Sequence, residues 1–297
     1  MKVFVTGATG FIGSAVVREL LGAGHEVLGL ARSEASAAAL QAAGAEVQRG
    51  ALEDPASLEA GARACEGIVH TGFVHDFSRY VEACELDRRV IATLGSALRD
   101  PHAPLVVTSG TLAVPGRRAT EDDRHEADAS RRAPRAASEE AADALVQQGR
   151  RVGVVRPSPS VHGEGDHGLV PMLIQIAKER GASAYIGDGT NRWNAVHRLD
   201  AARVFVRALE RATPGARFHA VAEPEIPFRD IAAAIGELLH LPVIGLRPDD
   251  AEAHFGWLAW MVARDGPASS ALTQAALDWT PSHPTLLDDL ASGAYVR

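Results

Sequence analysis

A chain of 297 residues, 46% hydrophobic and 23% charged, has enough apolar side chains for a sizeable core. Its formal charge of -8, with no basic block, excludes attraction to nucleic acid or an acidic membrane surface as the expected role. Cys65 and Cys84 are the only cysteines, too few for a disulfide scaffold and without metal-ligand spacing, so no metal is expected and a reducing cytoplasm is the expected compartment. KVFVTG opens as a β-rich run, FIGSAVVRELLGAG has helical periodicity closed by glycine, and HEVLGLAR is a strand again. The alternation continues through SEASAAALQAAG (helix), AEVQRG (strand), SLEAGARAC (helix), GIVHTG (strand), a long helix near 78 to 99, and PLVVTSG (strand). A helical stretch from Glu139 to Gln148 then leads to the strand RVGVVRP. Repeated βα units imply an α/β fold, a doubly wound parallel sheet of Rossmann type with helices on both faces. After about residue 157 the rhythm breaks. The division expected is a dinucleotide-binding domain over 1–157, with strands returning from about 195–222, and a smaller substrate-binding lobe over most of 158–297. No segment is expected to span a membrane, FGWLAWMVA at 255–263 being far too short.

VTGATGFIG, residues 5 to 13, places Gly7, Gly10 and Gly13 after a strand and at the opening of a helix. Gly7 suits a tight turn, Gly10 lets backbone approach a pyrophosphate, and Gly13 lets helix pack on strand, with helix N–H groups facing the anion. The second strand ends Leu30, Ala31, Arg32, Ser33. An acid at this tip would bind a ribose 2'-hydroxyl; a guanidinium beside a hydroxyl favours the 2'-phosphate of NADP(H).

On these motifs the chain resembles the short-chain dehydrogenase/reductase superfamily, in its extended and atypical branches with a TGxxGxxG motif. The resemblance extends through RGALED (49–54), GIVHTGF (67–73), VVTSGT (106–111), VVRPSPSVHGEGD (154–166), IGDGTNRWNAVHRLDAA (186–202) and LDWTPSHPTLLDDL (277–290). It implies a cofactor site formed by Gly7, Thr9, Gly10, Phe11, Ile12 and Gly13 in the glycine loop, and by Ala51 and Leu52 on the adenine side. Thr71, Gly72 and Phe73 would lie near the riboses, and Pro157 and Ser158 near the nicotinamide. Ser109 and Thr111 fall where the family places its catalytic hydroxyl, with Thr111 preferred on register. The family's helix pairing further implies a homodimer as the natural assembly.

The Tyr-x-x-x-Lys pair that carries proton chemistry in the family is missing. Tyr80, Tyr185 and Tyr295 are the tyrosines and Lys2 and Lys178 the lysines, so no pair has that spacing. Aligning PRAASEE (134–140) puts Arg135 and Glu139 at the two positions, and Asp87 where the family often has asparagine. A guanidinium holds its proton far above neutral pH, so Arg135 is read either as an electrostatic stabiliser of alkoxide charge or, preferentially, as half of a solvated i, i+4 pair with Glu139. Histidine then becomes the expected proton source. His162, in a glycine-flanked loop, is the first choice and His75 the next, while His70 and His197 are read as structural. Trp193 and the cluster Phe255, Trp257, Trp260 and Met261 are expected to line or cover the substrate pocket. Few basic residues are expected to converge there, which favours a small, mostly apolar substrate over a nucleotide sugar. The function implied is NADPH-dependent reduction of a small carbonyl or imine. A non-catalytic NADP(H) sensor is the alternative, and a sugar epimerase or dehydratase a more distant one.

Overall fold

The computed structural model describes residues 1–125 and 133–295. Its first half alternates β1 (Lys2–Thr6), α1 (Phe11–Gly22), β2 (Glu26–Ala31), α2 (Glu34–Ala42), β3 (Glu46–Arg49), α3 (Pro55–Arg63), β4 (Gly67–His70), α4 (Tyr80–Ala97), β5 (Leu105–Thr108), α5 (Ala136–Gln147) and β6 (Val152–Pro157). The chain then forms β7 (Ser160–His162), α6 (Leu169–Arg180), β8 (Ser183–Ile186) and β9 (Arg192–His197), followed by α7 (Arg198–Arg211) and β10 (Arg217–Ala220). Strand order in the seven-stranded sheet is β10-β6-β5-β4-β1-β2-β3, and every pairing in it is parallel. This is the doubly wound Rossmann arrangement, with the order reversing between β1 and β4.

Such a sheet needs apolar residues on both faces, and the sequence supplies them at adjacent positions. Val3 and Val5 pack with Val16, Leu20 and Phe205 of α1 and α7 on one side. Phe4 and Ile68 pack with Ile91, Leu94 and Leu145 of α4 and α5 on the other. A separate core in the second lobe gathers Leu173, Ile174 and Phe255 with Phe228 and Ile231 of α8 (Phe228–Leu239). There β11 (Glu223–Pro227), β9 and β7 form a three-stranded sheet, and β12 (Val243–Leu246) pairs with β8.

α5 begins three residues before the expected Glu139 because its first turn is anchored inward. Glu139 is buried, and its carboxylate accepts two hydrogen bonds of 2.7 Å from Arg156 of β6 and one of 3.0 Å from Arg217 of β10, with His125 Nε2 3.4 Å away. Burial alone pushes the Glu139 carboxyl up, but the hydrogen bonds and charges of His125 and Arg156 outweigh it and hold the group far below its ordinary 4.5. Because the folded-state value is depressed, the stabilisation is complete above 4.5 and is lost as pH falls below it. Glu139→Gln should therefore lower unfolding free energy near neutral pH by about 3–5 kcal/mol, since it leaves buried guanidinium charge unpaired. Urea denaturation across pH 3 to 7 checks this, the variant showing a flatter acid limb.

Candidate active site

The glycine loop folds as its spacing requires. Gly7 adopts φ +65°, and a Cβ there would lie 2.6 Å from the Gly72 nitrogen. A Cβ on Gly13 would strike the Gly7 carbonyl. The N-terminus of α1 carries no acidic residue in its first turn, and the Thr71 hydroxyl donates to the Thr6 carbonyl at 2.8 Å, pinning β4 beside the loop. A side-chain-free cradle at a helix N-terminus fits a dinucleotide pyrophosphate. Phe11 opens the helix with His167 packed edge-on at 5.7 Å and the Arg198 guanidinium 5.0 Å from its ring.

At the tip of β2, Ser33 caps α2 by accepting from the Ser36 N–H at 3.1 Å, and Arg49 donates to the Ser33 carbonyl at 2.9 Å. The Thr9 and Ser36 hydroxyls stand 3.5 Å apart beside it. Arg49 is paired with Glu34, whereas Arg32 is exposed and has no carboxylate partner among the described residues. Arg49 and Ser36 were missed in the sequence because they lie on other elements. Leu52 reaches Gly72, its Cδ2 standing 3.1 Å from where a Gly72 Cβ would be, and the Ala51 carbonyl accepts from Ser57 at 3.4 Å.

A cleft of about 700 Å3 opens at the carboxyl ends of the strands and brings together Ile12, Thr71, Phe73, Pro157 and Ser158 from the expected cofactor side with Ser109, Thr111, Arg135, His75 and Trp193. Ser109 follows β5, its N–H tied to the Val155 carbonyl at 2.9 Å; its hydroxyl is buried without a partner among the described residues. Thr111 already bonds Asn194, at 3.3 and 3.4 Å, and Asn194 in turn donates to the Gly266 carbonyl at 2.7 Å. Register favoured Thr111, but the hydroxyl with spare bonding capacity is that of Ser109. The Ser158 hydroxyl donates to the Ala220 carbonyl at 3.2 Å.

Arg135 and Glu139 do not form the solvated pair expected of them. While Glu139 turns under the sheet, Arg135 donates from Nη1 to Asp87 and from Nη2 to the Thr108 carbonyl, both at 2.8 Å. Its guanidinium lies over the Phe73 ring, 4.1 Å from the centroid. Asp87, 3% exposed, also accepts from Ser138 at 2.5 Å and pairs with His70 Nε2 at 2.9 Å. His70 Nδ1 meets the Thr6 hydroxyl at 2.6 Å, and that hydroxyl accepts from the Gly72 N–H at 3.3 Å. With a neutral imidazole, Nε2–H donates to Asp87 and Nδ1 accepts from Thr6. Burial pushes the Asp87 carboxyl up, but Arg135 and His70 beside it outweigh that and hold it below the usual carboxylate range. His70 is thus buried as expected, yet it joins the glycine loop to Arg135.

His162 does not reach the cleft. Its side chain is fully buried at the lobe junction, with Nδ1 2.6 Å from Asp289, Nε2 3.7 Å from Glu223, and its ring edge-on to His197 at 5.5 Å. Strand alternation is the reason: in β7 the neighbouring Val161 takes the cleft-facing side. His197 stacks on His283 at 4.8 Å and caps α7. Phe255 and Trp257 are likewise outside, Phe255 being buried in the lobe core and Trp257 absent from the lining. From the same aromatic run it is Trp260 and Met261 of α10 (Ala259–Val262, which follows α9, Ala251–Phe255) that line the cleft. Trp193 is a floor residue, packed edge-on against Phe228 at 4.9 Å. The scarcity of basic residues expected from sequence is also corrected: Arg117, Arg124, Arg135 and Arg264 all border the cleft. Arg117 is paired with Asp123, and Arg124 with the carbonyls of Glu121 and Asp123 at 3.0 and 3.1 Å. Arg264 has no ion-pair partner among the described residues, and burial in the cleft lowers its proton affinity.

Removing Arg135 strips the buried Asp87 of its strongest cation. Arg135→Ala should lower unfolding free energy by about 1–3 kcal/mol, with a smaller loss for Asp87→Asn, which keeps the shape and discards the charge. Denaturant midpoints at pH 7 separate this from the near-zero effect of an exposed pair.

Comparison with known proteins agrees with the geometry. The model of the NAD dependent epimerase/dehydratase family matches residues 3–221. An uncharacterized protein of Schizosaccharomyces pombe is 51% identical over 297 residues, 99% of this chain and 100% of that one. The 2-alkyl-3-oxoalkanoate reductase of Stenotrophomonas maltophilia is 29% identical over 258 residues, 80% of this chain and 76% of that protein. Among solved structures, a nucleoside-diphosphate-sugar epimerase from Pseudomonas aeruginosa superposes with a TM-score of 0.77 at 21% identity, covering 98% of this chain and 95% of that one, which is likeness of fold.

Proposed function

The chain belongs to the NAD dependent epimerase/dehydratase family, a nicotinamide-dependent family of oxidoreductase type, and from that premise we propose that it is an NADPH-dependent reductase of a small carbonyl or imine compound. The observation that carries this reading is the meeting, in one cleft, of Ile12 and Thr71 from the cofactor loop region with the unpartnered Ser109 hydroxyl and the Arg135 guanidinium. When bound, NADPH supplies the hydride. Arg135, fixed by Asp87 and the Thr108 carbonyl, offers positive charge where an oxygen gains electrons, a stabilisation that needs no proton transfer from the guanidinium. Ser109 donates a hydrogen bond to the same oxygen, and Thr111, oriented by Asn194, borders the substrate.

Phe73, Leu112, Val114, Val161, Trp193 and Met261 give the cleft an apolar surface, and Arg264, without an ion-pair partner among the described residues, suits one acidic or strongly polar substituent on an otherwise apolar substrate. NADPH is favoured over NADH by Arg32, by the Ser33 and Ser36 hydroxyls, and by the absence of an acid at the tip of β2.

NADPH oxidation measured against small ketones, aldehydes and imines, each with and without a carboxylate, tests the reaction; NADPH binding with no turnover anywhere in that panel leaves a cofactor-binding regulator in its place. Calorimetric titration should show NADPH binding more tightly than NADH, with Arg32→Ala weakening NADPH alone by about 1–3 kcal/mol. Equal affinities in the wild type are the result that ends the preference.

A further inference from the structure

We infer that Tyr80 is the proton donor of the reaction, reaching the cleft from α4 in place of the tyrosine that α5 lacks. The inference rests on the reductase reading and adds the residue that reading leaves unassigned.

The cleft holds few groups able to give up a proton. Guanidinium does not release one near neutral pH, and the hydroxyls of Ser109 and Thr111 are far weaker acids than a phenol. Tyr80 lines the same wall as Arg135 and Arg264. Its ring stands edge-on to Phe73, 6.2 Å between centroids, and Phe73 carries the Arg135 guanidinium on its face. The Cys84 thiol, one turn along α4, is among the groups that act on its hydroxyl. The other two tyrosines are placed elsewhere: Tyr185 lies in β8, and the Tyr295 hydroxyl donates to Asp166 at 3.0 Å.

The charges around the phenol suit donation. Burial and then the Cys84 thiol raise the Tyr80 pKa, so at neutral pH the group enters the reaction protonated, while Arg135 and Arg264 act in the opposite sense and favour the phenolate that donation leaves. In the step itself the carbonyl carbon accepts hydride from NADPH and the C=O π pair moves onto oxygen. That oxygen takes the Tyr80 proton, and the phenolate recovers one from water entering the open side of the cleft. The sum is carbonyl, NADPH and one proton giving alcohol and oxidised cofactor. His75, the competing candidate, lines the cleft beside Phe73, but burial first and then Arg135 lower its pKa, leaving a neutral imidazole that is a poor acid.

Three variants and two readouts test the assignment. On a substrate that the wild type reduces, Tyr80→Phe should lower turnover by roughly a hundredfold to ten-thousandfold with NADPH affinity within a few fold, while His75→Ala should lose far less. The second readout needs neither cofactor nor substrate: ultraviolet titration of tyrosinate in the free protein should lose one step in Tyr80→Phe, and Arg264→Ala should move that step to higher pH. Full turnover in Tyr80→Phe, or a tyrosinate step indifferent to Arg264, overturns the assignment; loss of turnover in His75→Ala alone transfers the role to His75. A wild type that binds NADPH and reduces nothing fails at the reductase reading, and the donor role falls with it.

Discussion

The carboxylate of Asp87 is the constraint on which the catalytic side of this molecule is built. A negative charge buried against a Rossmann sheet is tolerable only with several donors around it, and here three come from two elements: His70 at the end of β4, and Ser138 inside α5 with Arg135 at its start. Satisfying Asp87 therefore fixes how α4 and α5 approach the sheet. It also dictates where the guanidinium of Arg135 sits, because its other hand is occupied by the carbonyl of Thr108. Through His70 and Thr6 the same chain ends on the backbone of Gly72, so the cofactor cradle and the wall of the cleft are parts of one hydrogen-bonded assembly.

The sequence holds no Tyr-x-x-x-Lys pair, and α5 opens with charged residues instead. Arg135 and Glu139 have the four-residue spacing of that pair, but they go separate ways, one bordering the cleft and the other anchoring β6 and β10. This division explains why both are charged and why neither is exposed. It also moves the acid-base question to the neighbours of Arg135, where a phenol and an imidazole flank the Phe73 ring under its guanidinium.

The alternation of strand and helix was legible in the sequence because a parallel sheet covered on both faces demands it, and the glycine loop because only glycine fits at Gly7 and Gly13. What the sequence hid were contacts between residues far apart along the chain. Nothing in PRAASEE reveals that Arg135 pairs with Asp87, 48 residues earlier, or that Glu139 meets Arg217, 78 residues later. His162 was misplaced by a single-residue alternation, since loop resemblance gave its neighbourhood and β7 decided which side chain faces the cleft. Of the aromatic run at 254–261 only Trp260 and Met261 line the cleft, because the chain turns at Gly256, φ +57°, between α9 and α10 and leaves Phe255 in the core.

The position of β10 has a consequence for biosynthesis. β6 is complete by Pro157, yet its outer partner begins only at Arg217, after β7, α6, β8, β9 and α7 have been made. During that interval β6 is an open edge, the kind of surface on which nascent chains pair wrongly. Arg156, near the end of that strand, projects its guanidinium from the sheet face onto Glu139 of α5, which is made before β6. When β10 arrives, Arg217 joins Arg156 on Glu139, so one buried carboxylate clasps the late strand to the strand that waited for it.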